Sequence, residues 1–156
     1  MTTQYTKNRG PILRRFDQHG SPGFRLDDAR RGDFSALTER YDRSFDDLGL
    51  NSAREVNIHI PLRGYGVYMR RFSQGGMVHF NVQQMLLRIV GIAQDMIEEY
   101  QHKYCAERDF QVGGPGHIRL RHVLLQNVYK IDDTNFGITL LVSGTVYANV
   151  LGVTYQ

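Results

Sequence analysis

Cysteine and lysine are scarce in this chain, and no familiar catalytic motif is present. The single cysteine, Cys105, excludes a disulfide framework and a cysteine-based zinc site. The first ten residues, MTTQYTKNRG, hold no apolar stretch, so we expect no signal peptide and a reducing cytoplasm, or a particle assembled there. No HExxH, GxSxG, P-loop or Rossmann pattern occurs, and the 6 histidines form no paired ligand set. We therefore expect no enzyme, no cofactor and no metal site.

The composition is that of one folded domain with an unusual choice of basic residue. The chain has 156 residues, of which 41% are apolar, which is enough for a hydrophobic core. Of its 19 basic residues, only Lys7, Lys103 and Lys130 are lysines. Arginine favours bidentate and stacked contacts, so this bias indicates interfaces with carboxylates or phosphates. Arginine-rich codon usage would produce the same composition.

The first 33 residues predict an extended N-terminal arm. Prolines and glycines interrupt any regular element there, yet apolar residues such as Leu13 and Leu26 recur along the segment. Arginines alternate with aspartates, a mixture that favours ion pairs with a protein over a grip on phosphates. We expect residues 1–33 to clasp a neighbouring subunit and residues 34–156 to form a single α+β domain. The candidate interface residues are Arg9, Arg14, Arg15, Phe16, Phe24 and Arg25 of the arm, with Thr145 and Tyr147 near the other end of the chain.

Two segments show the apolar spacing of three and four residues that is typical of helices. Residues 34–48 predict a short helix, and residues 82–104 predict a long one. Asn81 and Gln84 should form a capping box at the start of the long helix. Gly91 lies in its middle, where glycine costs stability, so we expect a packed sheet to approach the backbone there.

Alternating apolar and polar residues predict strands over residues 55–62 and, after a short turn, over residues 65–72. Residues 117–131 and 136–151 then predict one long C-terminal hairpin, with turn formers at 132–135. The long helix should pack on the hairpin face that bears Ile138, Leu140 and Val142. The predicted fold is α+β, with one long helix on an antiparallel sheet, a long C-terminal β-hairpin and the extended arm.

The hairpin strands have two further features. In the first strand the apolar set changes face near Val123–Leu125, which indicates a bulge or burial on both sides. The second strand, 136–151, is much longer than a typical strand, and its outward residues are small and uncharged. Without lysine or proline to protect it, such an edge should be covered by another subunit. We expect Thr145→Lys to weaken assembly more than folding.

A membrane span is the alternative for the end of the chain. Residues 134–156 carry no charge, and this length is sufficient for a transmembrane helix. The segment, however, alternates with period two, is rich in valine, threonine and tyrosine, and has no basic flank. These properties favour a strand over a span, so we expect no membrane partner.

The helix followed by the segment HIRLRHVLLQNVYKIDDTNFGITLLVSGTVYANVLGVTYQ resembles small structural virion proteins of tailed bacteriophages. The similar types are tail terminator and tail-completion proteins of the neck, and tube or baseplate proteins, and the resemblance covers residues 81–156. It implies a homo-oligomeric ring, commonly a hexamer, that sits in the virion among other tail or neck proteins, with DNA at most passing through its channel. It also implies no cofactor and no catalytic site.

Two other functions stay open from the sequence. The first is an arginine-rich nucleic-acid-binding module, in which Tyr5, Phe16, Phe24 and Tyr41 would stack on bases. The net charge of +3 is small for strong binding driven by counterion release. The second is a small enzyme whose site has no sequence signature.

Overall fold

The fold follows from a computed structural model, which describes residues 10–17, 20–37, 55–73, 81–114 and 117–142. Its elements, in chain order, are β1 (Ile12–Arg15), β2 (Phe24–Arg25), α1 (Leu26–Arg30), β3 (Glu55–Leu62), β4 (Gly66–Ser73), α2 (Val82–Tyr100), the 3-10 turns Arg108–Phe110 and Leu120–His122, β5 (Val123–Asp132) and β6 (Asn135–Val142). Most of the predicted helix 34–48 and the last part of the predicted strand 136–151 lie outside the described residues.

The six strands form one sheet in which the order is β1-β5-β6-β3-β4, and β2 also pairs with β5. The sheet is mixed rather than antiparallel, because β3 runs parallel to β6 through the pairs Asn57–Asn135, Ile58–Phe136 and His59–Gly137. The chain passes through β4, α2 and β5 between these two strands, which supplies the long crossover that parallel neighbours require. One long helix and this sheet agree with the expected α+β class.

The first hairpin matches the sequence closely. Strand β3 occupies the predicted residues 55–62, and its burial alternates as expected, with Val56, Ile58 and Ile60 in the core. Strand β4 begins at Gly66, one residue later than predicted, and pairs with β3 along its whole length. Local alternation was sufficient here because each strand buries only one face in the core.

Helix α2 begins as predicted. The Asn81 side chain accepts a hydrogen bond from the Gln84 backbone N–H at 2.8 Å, and the Gln84 side chain accepts one from the Asn81 backbone N–H at 3.0 Å. The helix ends at Tyr100 rather than at 104, and Tyr104 is exposed. Its buried residues are Val82, Met85, Leu86, Ile89, Val90, Ala93, Met96 and Tyr100.

These helix residues share one hydrophobic core with Ile138, Leu140 and Val142 of β6, which confirms the predicted packing. The expectation for Gly91 is wrong. Gly91 is exposed, and a Cβ placed on it would meet no atom within 4 Å. It lies on the solvent side of the helix, so no close approach accounts for it.

Strand β5 has both features that the sequence left open. A bulge interrupts its register between Leu125 and Asn127. Leu125 belongs to the core beneath α2, whereas Leu124 and Tyr129 are buried outside that core, on the other face of the sheet. Side chains of β5 are therefore buried on both faces. This explains why its sequence alternates less regularly than that of β3.

The expected extended arm is not confirmed. The described part of residues 1–33 supplies β1 and β2, which both pair with β5 of the same chain. Four of its side chains join the core beneath α2, namely Phe16, Phe24, Leu26 and Ala29. The spaced apolar residues thus pack within their own subunit, where the expectation placed them on a neighbour.

The position of β6 also differs from the expectation. Its described residues, 135–142, lie between β5 and β3, so this part of the strand is internal and needs no second subunit to cover it. In the described ranges, no helix has the length and apolar character needed to cross a bilayer. The described start of the uncharged segment is a strand.

Candidate functional site

Five of the predicted interface residues lie in the described ranges, and they are not all exposed. Phe16 and Phe24 are buried in the core of their own chain, so neither is available to a partner. Arg15 is exposed and forms an ion pair with Asp17 at 3.0 Å. Arg14 is half-buried on β1. Three of the predicted residues lie outside the described ranges, namely Arg9, Thr145 and Tyr147.

The sheet has an open edge at β4 among the described residues. Strand β4 is the last in the strand order and has eight residues, which is longer than a typical edge strand. Tyr68 and Phe72 point into the core, whereas Val67 and Met69 project from the opposite face with 42% and 58% of their surface exposed. The edge therefore carries two adjacent apolar side chains in contact with water.

The two arginines of β4 are both engaged. Arg71 pairs across the strands with Glu55 at 3.3 Å, and Arg70 reaches Asp95 of α2 at 3.5 Å. Arg70 also donates to the hydroxyl of Tyr68. Charged side chains usually protect an edge strand from pairing. Here each positive charge has a carboxylate beside it, so that protection is reduced.

A second surface lies around His122, at the start of β5. We define the His122 cluster as Arg25, Arg119, Arg121 and His122. Arg25 Nη2 donates to the Arg121 carbonyl at 3.4 Å, although the two residues are 96 positions apart. The Arg119 backbone N–H donates to His122 Nδ1 at 3.0 Å, and Arg121 Nε lies 3.3 Å from His122 Nε2. Strand β2 and the 3-10 turn before β5 bring these groups together.

The environment of His122 favours its neutral form. Partial burial lowers the pKa of His122 from its usual value, and the positive charges of Arg121, Arg119 and Arg25 lower it further. Within the described ranges, neither Arg119 nor Arg121 has an ion pair with a carboxylate. Arg25 has only a distant partner, Asp28 at 3.9 Å, and that carboxylate also binds Arg31 at 2.5 Å. The cluster therefore holds an excess of positive charge.

The sequence did not single out this cluster. We expected residues 117–131 to form a continuous strand, in which His122 and Arg121 would point to opposite faces. The observed 3-10 turn over Leu120–His122 turns them toward each other instead. The run RLRH was the available signal, because it places three basic side chains within four residues.

A polar network closes the other end of the hairpin. Asp132 accepts hydrogen bonds from the Asn135 side chain at 2.8 Å and from the Thr134 backbone N–H at 2.9 Å. These hydrogen bonds lower the pKa of Asp132, the Asn135 bond most strongly. Asn135 Oδ1 in turn accepts from Asn57 at 3.1 Å and lies 2.9 Å from His59 Nε2. The network joins β3 to β6 at their parallel start, which is a structural role.

The remaining candidate groups of the described residues form no metal centre, since no three histidine, cysteine or acidic side chains there could hold an ion together. Cys105 is buried, and its thiol donates to the Glu107 carbonyl at 2.9 Å. A comparison of the chain with protein-family models, with curated proteins and with solved structures finds no match.

Proposed function

We propose that this protein is a structural subunit that acts through subunit-subunit contacts, of the kind found in the rings of bacteriophage tails and necks. The observation that carries the proposal is the open edge of β4, where exposed Val67 and Met69 lie beside two arginines that are paired with carboxylates. An edge strand of this length with reduced charge protection favours pairing with a strand of another chain. The virion setting rests on the resemblance of residues 81–156.

The geometry of the sheet supports a ring as the form of assembly. Among the described strands, β4 lies at one edge of the sheet, while β1 and β2 flank β5 toward the other edge. Contact between unlike edges of successive subunits is head to tail, and such contacts close into a ring when the rotation permits. In this proposal, neighbouring tail or neck proteins stack on the ring and DNA passes through its channel without a cofactor.

The proposed contact between subunits is on β4, whereas the sequence had placed it on β6. The part of β6 that the structure describes is internal, so its residues cannot pair with a second chain. The expectation for Thr145→Lys concerns a residue outside the described ranges and stays a prediction. Met69 is the better position for a test, because it is exposed on the open edge strand.

Native mass spectrometry of the full chain tests the proposal. We expect a single closed oligomer for the wild type and a shift toward monomer for Met69→Lys, because a buried unpaired charge is costly at an interface. Leu87→Lys is the matched control, since Leu87 is 46% exposed but lies on α2. Both variants should keep the circular dichroism spectrum of the wild type, and Leu87→Lys should also keep its melting temperature, whereas Met69→Lys loses only the stabilisation that assembly supplies. A wild type that stays monomeric at high concentration contradicts the proposal, as does equal assembly of the two variants.

The alternative function, a nucleic-acid-binding module, loses part of its basis. Phe16 and Phe24 were expected to stack on bases, and both are buried in the core. A salt titration against DNA separates the alternatives, because binding by a dedicated module falls steeply as salt rises. A ring subunit that only surrounds DNA should show a shallow dependence.

A further inference from the structure

The His122 ring has more hydrogen-bond donors around it than it can accept. A neutral imidazole has one nitrogen with a free lone pair, and its other nitrogen carries a proton. Two N–H groups nevertheless point at the ring, from the Arg119 backbone at 3.0 Å and from Arg121 Nε at 3.3 Å. In either neutral tautomer, one ring N–H faces another donor. An additional acceptor beside the ring would remove this conflict.

The backbone contact decides which tautomer forms. The Arg119 N–H is fixed by the 3-10 turn, in which the His122 N–H also donates to the Arg119 carbonyl at 2.9 Å. His122 Nδ1 is therefore the acceptor, and Nε2 carries the proton. The Arg121 Nε–H then points at a nitrogen that also carries a proton, with the two nitrogens 3.3 Å apart. Arg121 is exposed, so its side chain can turn until the two N–H groups converge. A single oxygen in front of them could accept from both.

The surrounding charge indicates that this oxygen belongs to an anion. Arg25 joins the cluster through its contact with the Arg121 carbonyl, so three guanidinium groups lie near the ring. Arg25 and Arg121 are exposed, and a solute can reach them. The nearby carboxylates do not satisfy this charge, since Asp28 is bound by Arg31 and is 3.9 Å from Arg25.

We propose that the His122 cluster is a phosphate-binding site, in which one phosphate oxygen accepts from His122 Nε2 and Arg121 Nε. Arg25 and Arg119 supply further positive charge around the same group. Guanidinium groups match the spacing of phosphate oxygens and bind them in pairs, which favours phosphate over a simple halide. The phosphate can come from a nucleic-acid backbone or from free inorganic phosphate. The proposed site is independent of the proposed ring.

The test measures binding of a fluorescein-labelled DNA duplex by anisotropy, with inorganic phosphate titrated in parallel and followed by melting temperature. Arg121→Gln should lower the affinity for the ligand that the wild type binds roughly tenfold, because it removes a charge-assisted hydrogen bond. If that ligand is DNA, the slope of log affinity against log salt should fall in magnitude by about 1. Arg25→Gln, at the other side of the cluster, should weaken binding in the same direction.

Arg71→Gln is the matched control. It removes the same charge from the far end of the sheet, where Arg71 is paired with Glu55. If the wild type and Arg71→Gln bind DNA but inorganic phosphate does not raise their melting temperatures, the ligand is a nucleic-acid phosphate. If inorganic phosphate also raises their melting temperatures, the site accepts free phosphate. The melting temperature without ligand checks that every variant is folded. The proposal is wrong if the folded Arg121→Gln and Arg71→Gln variants have the same affinity for DNA and the same affinity for phosphate.

Discussion

Two glycines differ in the space that their surroundings leave for a side chain. Gly91 is exposed in the middle of α2 and its missing Cβ would meet nothing, whereas a Cβ at Gly137 of β6 would overlap the ring of Tyr129. Gly91→Ala should stabilise the fold by about 0.5–1 kcal/mol, because alanine loses less backbone entropy in a helix. Gly137→Ala should destabilise it by about 1–3 kcal/mol through overpacking. Denaturant unfolding measures the change in the free energy of unfolding for each variant. The same change at both positions would contradict the close packing of Gly137 against Tyr129.

The lowered pKa of His122 makes a small part of the stability depend on pH. The unfolded chain binds a proton at His122 near pH 6.5, whereas the folded chain resists protonation until a lower pH. The stabilisation is therefore fully present above pH 6.5 and is lost as pH falls through the folded pKa. The aspartates with lowered pKa values, Asp17, Asp33 and Asp132, act only in a more acidic range.

Melting temperatures at pH 7 and pH 5.5 test this dependence. His122→Gln removes the titrating imidazole and keeps a polar side chain at the turn. From pH 7 to pH 5.5, the melting temperature of this variant should therefore fall less than that of the wild type. The difference should be small, since the imidazole is only partly buried. An identical fall in the two proteins would contradict the assignment of His122 as the responsible group.

Among the elements, α2 contributes most clearly to the core. Ile89 is fully buried beneath the helix, and its truncation to alanine should cost about 2–5 kcal/mol. Leu87 provides the control on the same helix, because it is 46% exposed and its truncation should cost about 0.5 kcal/mol or less. Chemical denaturation gives both values. Similar costs at the two positions would mean that α2 packs through a different face.

The sequence predicted elements where the signal was local and missed relations between distant elements. The capping box of Asn81 and Gln84 and the alternation of β3 depend on neighbouring residues, and both were found. The parallel pairing of β3 with β6 joins residues 78 positions apart, such as Asn57 and Asn135, and no local pattern specifies it. The His122 cluster was missed for the same reason, since one of its members comes from β2.

For the molecule as a whole, the N-terminal segment shows how a correct pattern can be assigned to the wrong partner. Apolar residues spaced along residues 1–33 indicated a surface to be covered, but spacing alone does not state whether that surface belongs to the same chain. Phe24 packs against Phe34 with ring centroids 6.3 Å apart, and both are in the core. The segment therefore contributes to folding, whatever it does in assembly.

Deletion of residues 1–33 tests this contribution. The truncated chain loses β1, β2 and α1, and we expect it to be largely unfolded, because the loss of a single large core side chain already costs about 3–5 kcal/mol of a marginal total. Circular dichroism and proteolysis measure the outcome. Deletion of residues 1–9 is the control, since it leaves every described element in place. A stable, folded product of the larger deletion would restore the expectation of a separable arm.

The position of β5 has a consequence for how the chain is made. Strands β1 and β2 are near the start of the chain, but both find their hydrogen-bond partners in β5, more than a hundred residues later for the Ile12–Tyr129 pair. During synthesis, β1 and β2 therefore cannot pair until β5 has left the ribosome. Pairings of such long sequence separation are slow to form. The apolar residues of β1 and β2 therefore lack their partner strand while the residues up to β5 are synthesised, and chaperones can bind them during that interval.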